Sequence, residues 1–240
     1  MTAYASSTSA ANPLVPHPVT IRCKGILFDM DGILISSLGS VERSWSAWGL
    51  ARGIDPKTAV HTAHGCRAIE TIRKLRPDLD DEAELKFIED LEIADNEGLA
   101  VLPGVLELIA ALPAHRWTVV TSATERLARV RLAAGGVPVP ELIITADHVM
   151  NGKPNPEPYL RGAEILGVPA TECVVFEDSA SGTKSGRAAG CTVIGTTFSH
   201  AIEELGAAHY LVTDLTGITV EVLPGEKWIA LHFTPLAVPA

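Results

Sequence analysis

Two aspartates, Asp29 and Asp31, are the first side chains along this chain whose types and spacing could do chemistry together. They stand in "ILFDMDGILISS" (26–37), directly after an apolar run that indicates a buried strand. In extended backbone the side chains at positions i and i+2 point the same way, so both carboxylates can enter one site while Met30 points elsewhere. Clustered carboxylates repel each other unless a cation or a shared proton compensates them. The spacing therefore predicts an acidic site at the end of a strand.

The elements that must position this site follow from the pattern of apolar segments. Strand-like segments recur at WTVVTSA (117–123), ELIITADHV (141–149), ECVVFEDS (172–179), CTVIGTT (191–197) and HYLVTDL (209–215). Helix-like segments alternate with them at 104–112, 125–136, 155–167 and 181–190. Such alternation indicates an α/β fold, a Rossmann-like parallel sheet with helices on both faces. Ligands of these sheets bind outside the carboxyl ends of the strands.

Polar side chains from several of these strand ends should converge with the first acidic pair. Glu177 and Asp178 add two carboxylates, and Ser122 and Lys153 add a hydroxyl and an ammonium. Carboxylate oxygens suit a hard divalent cation, and Mg²⁺ typically binds one or two carboxylates together with a substrate phosphate. The hydroxyl and the ammonium can hold that phosphate by hydrogen bond and by charge.

The pattern of apolar and charged residues divides the chain into a core and an insertion. Helical spacing with many charges occupies 38–53, 68–75 and 81–100, which predicts an inserted α-helical cap domain at 38–103. The core domain is then formed by 19–37 and 104–225. Residues 1–18, rich in Ser, Ala and Pro, are expected to form a flexible arm. The tail at 226–240 is apolar enough to pack either on the core or on another subunit.

Composition excludes several classes of protein. The chain has 240 residues, 47% of them hydrophobic and 20% charged, which is enough apolar content for a sizeable core. A net charge of −10 argues against non-specific nucleic-acid binding. The 4 cysteines form no CxxC pair, so we expect reduced thiols. With no membrane-spanning run and no evident targeting segment, we expect a cytoplasmic monomer or small homo-oligomer that does not contact a membrane.

Four segments, taken together, resemble the signature motifs of the haloacid dehalogenase superfamily. They are FDMDG (28–32), VVTSA (119–123), GKPNPEPY (152–159) and VVFEDSASG (174–182). The insertion after the first motif resembles the helical cap of the branch that holds β-phosphoglucomutase and small sugar phosphatases. Within it, HGCRAIETIRKL (64–75) is similar to the cap segment of bacterial sugar phosphatases. The resemblance spans about residues 24–215 and implies a Mg²⁺-dependent phosphatase that acts on small sugar or polyol phosphates.

The resemblance also implies roles for the acidic residues. Asp29 would be the nucleophile that forms an aspartyl-phosphate, and Asp31 would be the general acid and base. The Asp29 carboxylate, the Asp31 backbone carbonyl and Asp178 would hold Mg²⁺, with Glu177 assisting. A strand-closing turn at the DxDG segment and a helix cap at "EDS" are the structural alternatives for these residues.

Phosphate and substrate contacts are implied in the same way. Ser122, the Ala123 backbone N–H and Lys153 would bind the transferring phosphoryl group. In the cap, Gly65, Cys66 and Arg67 would form a loop that contacts the sugar, or else an ordinary helix start.

Departures from the family pattern bear on the alternatives. Many members carry Thr where this chain has Ile33, but apolar residues occur there in relatives too. Members commonly carry Asp where this chain has Ser36, at the start of the linker to the cap, so this departure concerns cap closure and not the chemistry. A mutase of the β-phosphoglucomutase kind would use a linker histidine and a cap arginine, whose places are taken by Val41 and Ala68, with Arg67 one position early. Both absences favour hydrolysis.

The remaining interpretations concern one alternative function and five residues of the predicted cap. A phospho-aspartate receiver module is disfavoured, because receivers lack the insertion and are about half this length. Trp45 and Trp48 are expected in the cap core. Neither His61 nor His64 has the partner spacing of a metal site, and Cys66 has no assigned base that would make it a nucleophile.

Overall fold

The computed structural model describes residues 17–225 and 227–237, so the expected N-terminal arm lies almost wholly outside the described residues. The helices are α1 Leu38–Ala51, α2 Pro56–Ala63, α3 Ala68–Leu75, α4 Asp81–Ala94, α5 Val105–Ala111, α6 Glu125–Ala134, α7 Glu157–Ile165 and α8 Ala180–Ala188. The strands are β1 Val19–Cys23, β2 Gly25–Phe28, β3 Ile35–Ser36, β4 Ala100–Val101, β5 Trp117–Val119, β6 Cys173–Glu177, β7 Thr192–Thr196, β8 Tyr210–Val212, β9 Thr219–Val222 and β10 Ile229–Phe233. None of the helices in this part of the chain has the length and apolar character needed to cross a membrane.

The predicted parallel sheet is confirmed, with five strands in the order β5-β2-β6-β7-β8. Strand β2 pairs in parallel with β5 on one side and with β6 on the other. In this register Phe28 lies opposite both Val119 and Phe176. The residues that follow these three positions therefore emerge side by side at one edge of the sheet.

Helices cover both faces of this sheet, because successive side chains of a strand point to opposite faces. Phe28 contributes to the hydrophobic cluster on one face, which includes residues of α5 and α6. Leu27 contributes to the cluster on the other face, together with Tyr159 and Ala163 of α7. The strand that carries the acidic motif is buried on both sides and is held rigidly by packing.

The pattern of IRCKGILF (21–28) predicts one continuous strand, but the structure has two strands there, β1 and β2, so this prediction is wrong. The chain bends at Lys24, so that β1 leaves the parallel sheet and β2 continues in it. Strand β1 pairs antiparallel with β10, with Cys23 opposite Ile229 and Val19 opposite Phe233, and β10 pairs with β9. The described part of the C-terminal tail thus packs on the core of its own chain, which the sequence left open.

Helices α1–α4, here called the helical insertion, have a hydrophobic core of their own. Trp45 and Trp48 lie in it with ring centroids 5.4 Å apart, as predicted. The Trp48 Nε1 donates to Glu84 Oε2 at 2.7 Å, which satisfies the buried indole. Helix α2 was not predicted, although Asp55 caps it by accepting from the Thr58 backbone N–H at 2.9 Å.

Two other sequence predictions were wrong. The helix expected over 81–100 ends at Ala94, and β4 pairs antiparallel with β3, which ties together the two linkers of the insertion. The strand expected over 141–149 is a single bridge between Ile144 and Val120. Immediately afterwards the Thr145 hydroxyl accepts from the Asp147 backbone N–H, which begins a 3₁₀ turn and ends the extended backbone.

Candidate active site

A cavity of about 320 Å³ lies between the carboxyl edge of the parallel sheet and the helical insertion. All ten predicted site residues line it: Asp29, Asp31, Gly65, Cys66, Arg67, Ser122, Ala123, Lys153, Glu177 and Asp178. The sheet supplies its floor, since β2, β5 and β6 end there. Residues far apart in the chain are therefore brought into one concave site, as expected at this edge of an α/β sheet.

The ammonium of Lys153 is buried at the centre of the floor. Its Nζ donates to Asp29 Oδ1 at 2.6 Å, to Glu177 Oε1 at 2.7 Å and to the Val120 carbonyl at 3.0 Å. All three of its donors are thus used. Burial opposes the charge, but the carboxylates of Asp29 and Glu177 outweigh it and hold the pKa of Lys153 above its ordinary value.

Glu177 is surrounded by donors. Its Oε1 accepts from Lys153 and, at 2.8 Å, from the Tyr159 hydroxyl. Its Oε2 accepts from the backbone N–H groups of Asp178 at 2.9 Å and Ser179 at 3.0 Å, and from the Ser179 hydroxyl at 3.0 Å. Although burial acts against the charged form, Lys153 and these hydrogen bonds lower the pKa of Glu177. Glu177 is therefore an ionised, immobilised carboxylate.

The structure brings together a set of carboxylates that fits a divalent cation. One carboxylate oxygen from each of Asp29, Glu177 and Asp178 lies within 4.8 Å of the others, and all three residues are buried. Burial, then the charges of Glu177 and Asp29, raise the pKa of Asp178 well above its ordinary value, and burial chiefly raises that of Asp29 to about 7. Mutual repulsion of this kind is what a bound cation relieves.

The backbone at Gly32 lies very close to the Asp178 carboxylate of this cluster. Its φ is +80°, a backbone conformation that favours glycine, and a Cβ there would lie 1.8 Å from Asp178 Oδ2. The glycine of the DxDG segment therefore lets the Asp178 carboxylate approach the acidic strand end. The Ser199 hydroxyl donates to the same Oδ2.

The Asp31 carboxylate points toward the helical insertion instead. Its Oδ1 accepts from the Ser37 hydroxyl at 2.5 Å and from Arg131 Nη1 at 2.9 Å. The Asp31 side chain keeps 31% of its surface exposed, whereas that of Arg131 keeps 3%. Asp31 is thus held by one oxygen while the rest of the carboxylate faces the cavity.

The predicted phosphate-binding turn follows β5. Ser122 and Ala123 both line the cavity. The Ala123 backbone N–H donates to the Thr121 hydroxyl at 3.1 Å, so this predicted phosphate donor has an acceptor within the turn. Thr121 is buried, and the contact fixes the shape of the turn.

Arg67 connects the helical insertion to the core rather than standing free in the crevice. Its Nη1 donates to the Val149 carbonyl and its Nη2 to the Met150 carbonyl, both at 3.0 Å. Its Nε also donates to Glu70 Oε1 at 2.9 Å. Beside it, the Gly65 carbonyl accepts from the Ser181 hydroxyl at 2.8 Å. The guanidinium therefore holds the insertion against the core loop.

The thiol of Cys66 is not activated. Burial, and then the charge of Glu70, raise its pKa above the ordinary value. A thiol whose pKa is raised carries little thiolate at neutral pH, which agrees with leaving Cys66 out of the nucleophiles.

Sequence reasoning missed two buried charged residues beside Asp31, namely Arg131 and Glu92. Arg131 Nη2 lies 3.6 Å from Glu92 Oε1, which places an arginine of α6 against a glutamate of α4. The sequence signal that could have indicated them is that each charged residue lies on the apolar face of its helix. Arg131 shares the buried face of α6 with Leu127 and Ala128, and Glu92 follows Ile88 by four residues on α4.

Comparisons with known proteins identify the family of the chain. A family model described as haloacid dehalogenase-like hydrolase matches residues 23–190. The chain is 39% identical over 209 residues to hexitol phosphatase A of Escherichia coli (strain K12), a match that covers 85% of this chain and 97% of that protein. It is 36% identical over 201 residues to glycerol-1-phosphate phosphohydrolase 1 of Saccharomyces cerevisiae, covering 78% of this chain and 80% of that protein.

Solved structures resemble the chain over most of its length. A hydrolase from Pseudomonas syringae has a TM-score of 0.71 and 25% sequence identity, covering 80% of this chain and 93% of its own. CbbY from Rhodobacter sphaeroides in complex with phosphate has a TM-score of 0.69 at 25% identity, covering 80% of this chain and 95% of its own.

Proposed function

Because this chain belongs to the haloacid dehalogenase-like hydrolases, we propose that it hydrolyses small sugar or polyol phosphates through an aspartyl-phosphate on Asp29. The observation that carries the proposal is the buried arrangement of Asp29, Lys153 and Asp178 on the floor of the cavity. The names of the relatives, a hexitol phosphatase and a glycerol-1-phosphate phosphohydrolase, support the substrate class.

Asp29 is the proposed nucleophile. Lys153 holds its Oδ1, so Oδ2 is the oxygen left to attack phosphorus. The new bond joins Oδ2 to phosphorus while the bond from phosphorus to the ester oxygen breaks in line. The Ser122 hydroxyl and the Ala123 backbone N–H are the proposed hydrogen-bond partners of the phosphoryl oxygens, and the Lys153 ammonium, whose donors are already used, attracts these oxygens by its charge.

Asp31 is the proposed general acid and base. Ser37 and Arg131 occupy its Oδ1, so Oδ2 is free to give a proton to the leaving ester oxygen. The same oxygen then takes a proton from the water that attacks the aspartyl-phosphate, which regenerates Asp29 and releases inorganic phosphate.

The residues present fit the Mg²⁺ that the family implies. The carboxylates of Asp29 and Asp178 and the Asp31 backbone carbonyl would hold the ion, with Glu177 assisting. When bound, Mg²⁺ neutralises charge on the carboxylates and the phosphoryl oxygens. Residues 38–103, which contain the helical insertion, are proposed to act as the cap that excludes water during the first transfer.

Hydrolysis is favoured over the mutase alternative by two residues that line the cavity. Val41 and Ala68 stand where a mutase would carry a histidine and an arginine, and neither side chain can hydrogen-bond a second phosphate. A small-molecule substrate also agrees with the net charge of −10, which disfavours nucleic acid as a partner. The four cysteines are free thiols, which supports a reducing, cytoplasmic location.

The test is a phosphate-release screen over polyol, hexose and pentose phosphates, with Mg²⁺ and with EDTA. We expect Mg²⁺-dependent release, lowered at least about 10⁴-fold by Asp29→Asn, because an amide is a poor nucleophile. Asp90→Asn on the exposed side of α4 is the matched control and should keep wild-type activity. Wild-type turnover by a verified Asp29→Asn protein would overturn the covalent mechanism, and an isomerised sugar phosphate without free phosphate would identify a mutase.

A further inference from the structure

Arg131 has hydrogen-bond donors that the described residues do not use. Its Nη1 donates to Asp31, but its Nε and Nη2 are buried and donate no hydrogen bond to any residue within 17–225 and 227–237. The side chain keeps only 3% of its surface exposed. An unpaired buried donor of a charged group is costly, so an acceptor at this point would be strongly favoured.

Glu92 offers the complementary chemistry on the opposite wall. Its Oε1 lies 3.6 Å from Arg131 Nη2, which exceeds a normal hydrogen bond, and Glu92 is also buried. Burial, opposed by Arg131 and reinforced by Asp31, raises the pKa of Glu92 to about 7. Donor and acceptor therefore face the same small volume of the cavity without saturating each other.

The position of this pair relative to the reacting atoms selects its ligand. The Arg131 guanidinium contacts Asp31, the residue proposed to protonate the leaving ester oxygen. In a substrate whose ester oxygen faces Asp31, a substituent on the carbon next to the phosphate-bearing carbon would come beside Arg131. A hydroxyl there can accept from Arg131 and donate to Glu92, which uses both of its hydrogen-bonding capacities.

We propose that Arg131 and Glu92 form a hydroxyl-binding pair that makes the enzyme select phosphate esters with a hydroxyl on the carbon adjacent to the phosphorylated carbon. This inference rests on the proposed phosphatase function. It narrows the substrate class to phosphates of open-chain polyols and related esters that carry this hydroxyl. Because Arg131 also holds Asp31, binding of that hydroxyl and alignment of the acid are linked through one side chain.

The test compares two esters that differ only in that hydroxyl, glycerol 1-phosphate and the monophosphate of propane-1,3-diol. We expect wild-type kcat/KM to be about 10- to 100-fold higher for glycerol 1-phosphate, because the analogue leaves buried polar groups unpaired. Arg131→Lys keeps the charge but cannot span Asp31 and Glu92, so the ratio should fall to within about threefold of unity. Glu92→Gln should also reduce it.

The ratio separates hydroxyl binding from a merely structural role, since a general loss of folding or of acid catalysis affects both esters alike. Asp90→Asn, on the same helix but outside the cavity, should leave the ratio unchanged. Equal turnover of the two esters by the wild-type protein overturns the inference while the phosphatase function stands. A large ratio that survives both Arg131→Lys and Glu92→Gln also overturns it. Failure of the wild type to release phosphate from either ester with Mg²⁺ overturns the inference, and failure with every ester of the phosphate-release screen overturns the proposed function as well.

Discussion

Lys153 and Arg131 are both buried cations of this site, and they differ in how fully their donors are used. Lys153 lies within the core, where the ends of three strands supply an acceptor for each of its protons. Arg131 lies between the core and the helical insertion, and only one of its three donor nitrogens has an acceptor among the described residues.

This difference separates the fixed chemistry of the site from its choice of substrate. A saturated cation is a rigid part of the floor and behaves in the same way for every phosphate ester. A cation with unused donors gains a partner only when a suitable ligand is present, so its contribution depends on the ligand. We therefore expect substitutions on the floor, as at Lys153, to lower stability and the turnover of every substrate. Substitutions at the wall, as at Arg131, should change the turnover of some substrates more than that of others.

The largest expected effect is that of Lys153→Met. Removing this cation leaves Asp29 and Glu177 buried and unpaired, which should lower the free energy of unfolding by about 3–5 kcal/mol and abolish turnover of every ester. Lys184→Met, which replaces an exposed lysine of α8, should change stability by less than about 0.5 kcal/mol. Urea unfolding of both variants measures this, and equal midpoints would show that Lys153 is not held as described.

Asp31→Asn should discriminate between leaving groups. The variant keeps the nucleophile but lacks the general acid, so its hydrolysis of glycerol 1-phosphate should be slower by about 10²–10⁴-fold. Phosphorylation of Asp29 by 4-nitrophenyl phosphate should survive better, because that leaving group needs little protonation. Acid quenching should then reveal an accumulated phospho-enzyme. An equal loss for both esters without such accumulation would contradict the acid and base role of Asp31.

Glu92 should make stability depend on pH. Its pKa is about 7 in the folded protein, above the ordinary value of 4.5, chiefly because it is buried. The folded state then binds more protons than the unfolded state between those values, so stability falls as pH rises from about 4.5 to 7. Glu92→Gln should remove about 1–3 kcal/mol of that decline. Unfolding midpoints at pH 5 and pH 8 measure it, and parallel declines in both proteins would contradict it.

The smallest expected effect is that of Arg67→Ala. Arg67 was predicted to contact the sugar, but its contacts with the Val149 and Met150 carbonyls indicate that it holds the insertion closed. We expect KM to rise about tenfold, equally for glycerol 1-phosphate and 4-nitrophenyl phosphate. Arg76→Ala, also in the insertion but outside the cavity, is the control. An increase confined to the polyol ester would instead support the direct contact with substrate.

Much of the fold was determined by local sequence. The hydrolase family and the parallel sheet were predicted correctly, because the four motifs and the apolar strands are continuous in the chain. Errors occurred where apolar pattern and pairing disagree. Segment 141–149 is apolar enough for a strand, but the Thr145 turn stops its pairing after Ile144. Lys24 breaks an equally apolar run, since β1 finds its partner about two hundred residues away in β10.

The sequence by itself determined which residues form the floor, because Asp29, Asp31, Lys153, Glu177 and Asp178 stand in short motifs at the ends of strands. Only the tertiary structure decided which residues form the walls of the cavity. Arg131 and Glu92 belong to helices of different parts of the chain, and each, taken alone, is a charged residue on a helix. Their roles arise from packing that buries both charges against each other and beside Asp31. Likewise, Arg67 became a contact between insertion and core because two backbone carbonyls, which no sequence pattern specifies, lie within reach of its guanidinium.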